Sequence, residues 1–114
     1  MKQLPGIRTL KREQFNRIYS KGLYFANKHL VIYVLKNNNV NSLVNTYGIS
    51  ISKKVGKSVV RNRIRRVIKE SLRLSQAEIK KGHNIIVVSR TAEKTDFKAI
   101  DSSIKKLLKR ANLL

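Results

Sequence analysis

Apolar and polar positions follow two different periods along this chain, and the changes of period divide it into segments. Leu10, Phe15, Ile18 and Tyr19 recur at helical spacing behind Thr9 as a cap, which predicts a helix to about Tyr19. Gly22 follows as a stop. Leu23 to Leu35 is rich in β-branched and aromatic residues and reads as one long strand, or as two short ones broken near Asn27-Lys28. Lys36 to Ser42, with Asn37, Asn38, Asn39 and Asn41, reads as a surface loop. Tyr47 to Ser52 alternates as a half-buried strand does. Ser58 stands where it can cap a helix to about Leu74. Asn84 to Ser89 contains Ile85, Ile86, Val87 and Val88, an apolar run suited to a central strand. Thr95 or Asp96 starts a last helix with the stripe Phe97, Ile100, Ile104, Leu107, Leu108 and Ala111. Met1 to Arg8, which holds Pro5 and Gly6, reads as an irregular arm.

The strand–helix–strand unit from Tyr47 to Ser89 should put two neighbouring strands in one sheet. Helices at both ends then give an α+β sandwich around a single sheet. A length of 114 residues with 41% apolar content suits one domain, residues 1–114, with a thin core.

Charge changes this picture most. Lys and Arg number 26 against 6 Asp and Glu, a formal net charge of +20. Such a chain repels itself when compact and should gain stability from bound polyanions. Nucleic acid and anionic membrane are the obvious candidates. The absence of cysteine excludes disulfides, thiolate zinc sites and cysteine nucleophiles. No apolar run approaches the ~20 residues that cross a bilayer, and Met1 to Leu10 lacks a secretory core. The expectation is a cytoplasmic protein.

The charge concentrates in Lys53 to Arg73, which carries nine basic residues (Lys53, Lys54, Lys57, Arg61, Arg63, Arg65, Arg66, Lys69 and Arg73) and one acid, Glu70. At ~100° per residue, Val60, Ile64, Val67, Ile68 and Leu72 share one face. Asn62, Arg65, Arg66, Lys69 and Arg73 share the other, with Arg61 and Arg63 at the margins. A helix face that is merely solvated mixes signs, because i,i+4 like-charge pairs such as Arg61–Arg65 and Arg65–Lys69 cost ~0.2–0.5 kcal/mol each. Arginine predominates, which favours bidentate phosphate contacts. Asn62 is placed to bond a base edge or a ribose hydroxyl. A membrane-surface helix would also be basic and amphipathic, but Val and Ile without a Trp or Phe anchor fit a core-packed face better.

Other constellations carry less. Gly56-Lys57-Ser58 resembles the end of a phosphate-binding P-loop, but Ile51 stands where that motif needs glycine. Gly56 is better read as allowing the turn into the helix. His29 and His83 lack metal-ligand spacing. The scattered acids Glu13, Glu70, Glu78, Glu93, Asp96 and Asp101 form no pair for acid–base or two-metal chemistry. No catalytic residue and no metal site is expected in the protein itself. Phe15, Tyr19, Tyr24, Phe25, Tyr33 and Tyr47 either pack the core or offer a stacking platform for unpaired bases, and alternation along strands prevents all of them from facing one side.

The run Ser50 to Glu70, with Arg61-Asn62-Arg63 at its centre followed by Arg65-Arg66 and Val67-Ile68, closely resembles the protein subunit of bacterial ribonuclease P. Leu10 to Phe15 through Gly22 looks like that family's first helix. Ala26-Asn27-Lys28 and Leu30 to Leu35 look like its early strands, and Asn84 to Arg90 like its last. The resemblance covers nearly everything from Leu10 onward. It implies a two-layer sandwich of one four-stranded sheet with helices, in the order αβββαβα, containing a left-handed strand–helix–strand crossover against the usual rule. It implies that the catalyst is the RNA subunit, holding Mg²⁺, and that the reaction removes the 5′ leader of precursor tRNA by phosphodiester hydrolysis. The partners implied are ribonuclease P RNA and precursor tRNA, with no membrane and no small-molecule substrate. Lys53, Lys54, Lys57, Arg61, Asn62, Arg63, Arg65, Arg66 and Lys69 would meet the catalytic RNA. Phe15, Tyr19 and Tyr33, edged by Arg65 and Lys69, would hold the leader; the role of Phe25 is left open. A small ribosomal or ribosome-assembly protein, or a cationic membrane-active protein, are the competing readings of the composition.

Overall fold

The computed structural model describes residues 12–36, 45–90 and 96–114. The expected arm at residues 1–8, the Thr9 cap, residues 37–42 of the asparagine-rich loop and Thr95 lie outside them, while Lys36, expected in that loop, ends a strand. The elements run α1 (Arg12–Lys21), β1 (Leu23–Ala26), β2 (Leu30–Lys36), β3 (Thr46–Ile51), a 3-10 turn (Lys53–Val55), α2 (Ser58–Ser75), β4 (His83–Ser89) and α3 (Phe97–Arg110).

The segment Leu23 to Leu35 is two strands. Asn27 breaks it: its side-chain oxygen accepts from the backbone N–H of His29 and of Leu30, the local bond that competes with a ladder. Gly22 joins α1 to β1 where the backbones are closest. A Cβ there would lie 2.6 Å from the Ile18 carbonyl oxygen and 2.9 Å from that of Val34. Asp96 caps α3 by accepting from the Ala99 N–H at 3.2 Å. Ser58, by contrast, does not cap α2. Lys57 is the cap residue, without a side-chain bond, and its carbonyl accepts from the Arg61 N–H at 3.0 Å. The 3-10 turn shifts the start: Ser52 caps that turn through the Lys54 N–H, Val55 sinks into the core, and Gly56, at φ 155°, redirects the chain.

The sheet order is β1-β2-β4-β3, with β4 antiparallel to β2 and parallel to β3. β4 is therefore central, and Ile85, Ile86 and Val87 are all fully buried, as an interior strand requires. Alternation assigns its side chains to two cores. Ile85 and Val87 join Ile32, Tyr47, Ile51, Ile64, Ile68, Leu72, Ile104, Leu107 and Leu108 in the main core, under a helical layer of α2 and α3. Ile86 faces the other way and meets Ile18 of α1, with Phe15, Tyr33, Leu35 and Val88 around them. The expected sandwich of sheet and helices is thus formed by the sheet with α2 and α3, while the short α1 covers part of the opposite face. Polar ties close the ends. Buried Asn45 donates to the Lys80 carbonyl at 2.9 Å and accepts from the His83 N–H at 2.9 Å. Buried Ser71 of α2 donates to Asp101 of α3 at 2.7 Å.

Candidate RNA interface

The candidate residues fall on two surfaces, on opposite sides of the sheet. The first is α2. Ile64, Ile68 and Leu72 are buried, and Val60 and Val67 pack beside them, so the apolar face is the one its periodicity predicts. The opposite face is cationic. Lys53, Lys54 and Lys57 are exposed before the helix starts, and Asn62, Arg63 and Arg66 are exposed along it. Arg61, Arg65 and Lys69 are half-buried. Asn62 accepts from the Arg65 guanidinium at 3.4 Å. Because no side chain caps α2, its first-turn N–H groups add a positive end to this field. Arg73 differs from the rest: it pairs with Glu70 through two hydrogen bonds, one of them 3.0 Å. That hydrogen bonding to Arg73 holds the Glu70 carboxyl below its ordinary range. The pair closes the cationic strip at its C-terminal end.

The second surface is aromatic. Phe15 and Tyr19, one turn apart on α1, have ring centroids 6.1 Å apart. Tyr19 meets Tyr33 of β2 edge to face at 4.7 Å. Beneath them Tyr33 neighbours Ile86 across the sheet, and Ile86 neighbours Gly48, which gives the cleft a floor without a side chain at its far end. The Tyr19 side chain bonds that of Ser50; burial pushes its phenol above the ordinary value, and the Ser50 bond partly offsets this. Phe15, Tyr19 and Tyr33 are thus brought together. Arg65 and Lys69 stand on α2, which packs on the opposite face of the sheet from α1. Phe25, whose role was open, pairs in register with Ile32 and packs on the main core. Tyr47 is buried in that core, with its hydroxyl 3.3 Å from the Asn45 amide nitrogen. Tyr24 joins the cleft side, 5.9 Å from Tyr33; strand alternation was the signal for it, once the register with β2 was known.

Among the described residues no three His, Cys, Asp or Glu side chains come together to hold a metal. His29 lies in the β1–β2 turn and His83 opens β4, bonded through its backbone to Asn45. No described helix is long and apolar enough to cross a membrane.

A family model for ribonuclease P matches residues 6–112. The chain belongs to the ribonuclease P protein family. The ribonuclease P protein component of Clostridioides difficile is 50% identical over 105 residues, 90% of each chain. That of Clostridium acetobutylicum is 46% identical over 108 residues, 94% of this chain and 90% of the relative. The solved ribonuclease P protein of Staphylococcus aureus superposes with a TM-score of 0.84 at 34% identity, over 96% of this chain and 97% of that one. The Thermotoga maritima protein does so with a TM-score of 0.79 at 29% identity, over 90% and 96%. The chain is thus a protein component of a tRNA-processing enzyme, and its partner is ribonuclease P RNA.

Proposed function

We propose that the chain holds two RNAs at once, the catalytic RNA on the cationic face of α2 and the unpaired 5′ leader of precursor tRNA in the aromatic cleft. The observation that carries this is the separation of the two surfaces by the sheet, which leaves only Arg65 and Lys69 to be shared between the two RNAs. On α2, Lys53, Lys54, Lys57, Arg61, Asn62, Arg63, Arg65, Arg66 and Lys69 neutralise phosphates. In the cleft, Phe15, Tyr19 and Tyr33 offer π-faces to splayed bases, which bind without regard to sequence at ~1–3 kcal/mol per base. Arg65 and Lys69, half-buried on α2, would meet the leader backbone as well as the catalytic RNA.

The chain's part in the hydrolysis is positioning. It binds precursor more tightly than product because the leader leaves with the cut, so cleavage removes the interaction that retained the substrate. The described residues offer no carboxylate cluster that fits Mg²⁺, so no hydrolytic step is assigned to a metal on the protein. In this reading the RNA phosphates hold Mg²⁺ and the RNA is the catalyst. The chain then works in the cytoplasm, beside newly made precursor tRNA.

The test is reconstitution of the full chain with ribonuclease P RNA at low Mg²⁺ and near-physiological salt, with precursor and mature tRNA compared. The expected result is faster cleavage, with tighter binding of precursor than of mature tRNA, and a selective loss of precursor binding in Tyr33→Ala. Absence of stimulation would overturn the reading.

A further inference from the structure

The aromatic row extends beyond Phe15, Tyr19 and Tyr33. Tyr24 lies on β1, which among the described residues pairs with β2 alone, so it stands at the rim of the sheet. Its register partner is Tyr33, which puts both rings on the face that α1 partly covers. The ring centroids are 5.9 Å apart and the planes are tilted by only 35°. Tyr33 also meets Tyr19, edge to face at 86°, so the three rings form one contiguous row. Tyr24 is 67% exposed, so core packing does not require its ring. The next residue, Phe25, turns to the opposite face and packs on the main core.

We infer that Tyr24 is a further stacking subsite, which takes one unpaired nucleotide of the leader beyond those on Tyr19 and Tyr33. The inference rests on the leader-cleft reading above. An exposed ring can take a base only where that base is free of a pairing partner, so the ligand is a single strand with splayed bases rather than a duplex. Stacking of this kind accepts any base. Exposed Lys21, in the last turn of α1 three residues before Tyr24, supplies cationic charge on the same side of the molecule. The ring thus lengthens the leader track toward the β1 rim rather than adding a specificity contact.

The experiment uses holoenzyme reconstituted from the full chain and ribonuclease P RNA, with precursor tRNAs whose leaders grow one nucleotide at a time. Tyr24→Ala and Tyr24→Thr both remove the ring, and Thr preserves strand preference. Both should weaken binding of long-leader precursors by roughly 5- to 150-fold, while leaders too short to reach the rim bind as before. Tyr24→Phe should keep the wild-type affinity. Equal weakening at every leader length, or weaker binding of the ribonuclease P RNA, would make the residue structural and overturn the subsite. Unchanged affinity at every length would also overturn it. Tyr33→Ala separates the two levels: if it alone abolishes leader dependence, only the subsite fails, and if neither variant has an effect, the leader-cleft reading fails as well.

Discussion

A methyl group added at Gly22 would meet two backbone carbonyls, of Ile18 and Val34, neither of which can rotate away. Gly22→Ala should therefore destabilise the fold by about 1–3 kcal/mol, read as a lower midpoint in urea with an unchanged slope. Unchanged stability would mean that α1 shifts freely on the sheet. The sequence identified Gly22 as a helix stop, but not the close approach of Val34, because that depends on which strand lies beneath. Tyr47 gives a second prediction at this scale. Burial raises its phenol pKa, and the bond with Asn45 only partly offsets this. Below the unfolded value, near ~10, both states keep the proton and stability is unaffected. Above it the unfolded chain sheds the proton more readily, so stability falls as pH rises further. Tyr47→Phe should flatten that alkaline decline, at a neutral-pH cost of ~0.5–1.5 kcal/mol for the lost hydrogen bond. An equally steep decline in the variant would place the responsible group elsewhere.

Among the elements, α2 was the most legible, since a helix with one apolar and one cationic face writes both on the same period. Ile64, Ile68 and Leu72 are buried and Asn62 and Arg66 exposed, as the wheel arranges them; Arg63, at its margin, is exposed as well, while Arg65 and Lys69 are half-buried. Its start was less legible: Ser58 is a good cap by type, but the 3-10 turn and Gly56 deliver the chain one residue earlier. Two predictions separate the faces. Ile68→Ala should cost about 2–5 kcal/mol of stability. The double change Arg65→Ala and Arg66→Ala should instead leave the fold intact, weaken assembly with ribonuclease P RNA, and lower the slope of log affinity against log salt by about two. A slope unchanged in titrations across salt would remove this face from the interface. The cleft was legible only in part. Phe15 and Tyr19 share a helix face by spacing alone, but their meeting with Tyr33, and the separation of Phe25 from all three, depend on strand register, which periodicity does not carry.

For the whole molecule, a net charge of +20 acts on a small fold. Multivalent anions that bind the folded chain should raise its melting temperature more than chloride at equal ionic strength. Thermal scans in sulfate or pyrophosphate against chloride test this, and equal midpoints would show that the repulsion is dispersed and harmless. The α+β class and a central apolar strand were readable from Asn84 to Ser89. The strand order was not, because insertion of β4 between β2 and β3 is a pairing over long sequence distance. That insertion also sets a schedule for the chain as it is made. β1 and β2 can pair as soon as they emerge, but β3 has no strand partner until α2 and then β4 have followed. The cationic helix thus leaves the ribosome before the sheet that supports it exists. The newborn protein can offer its charge to RNA only in an unsupported form, until Ser89 closes the last ladder.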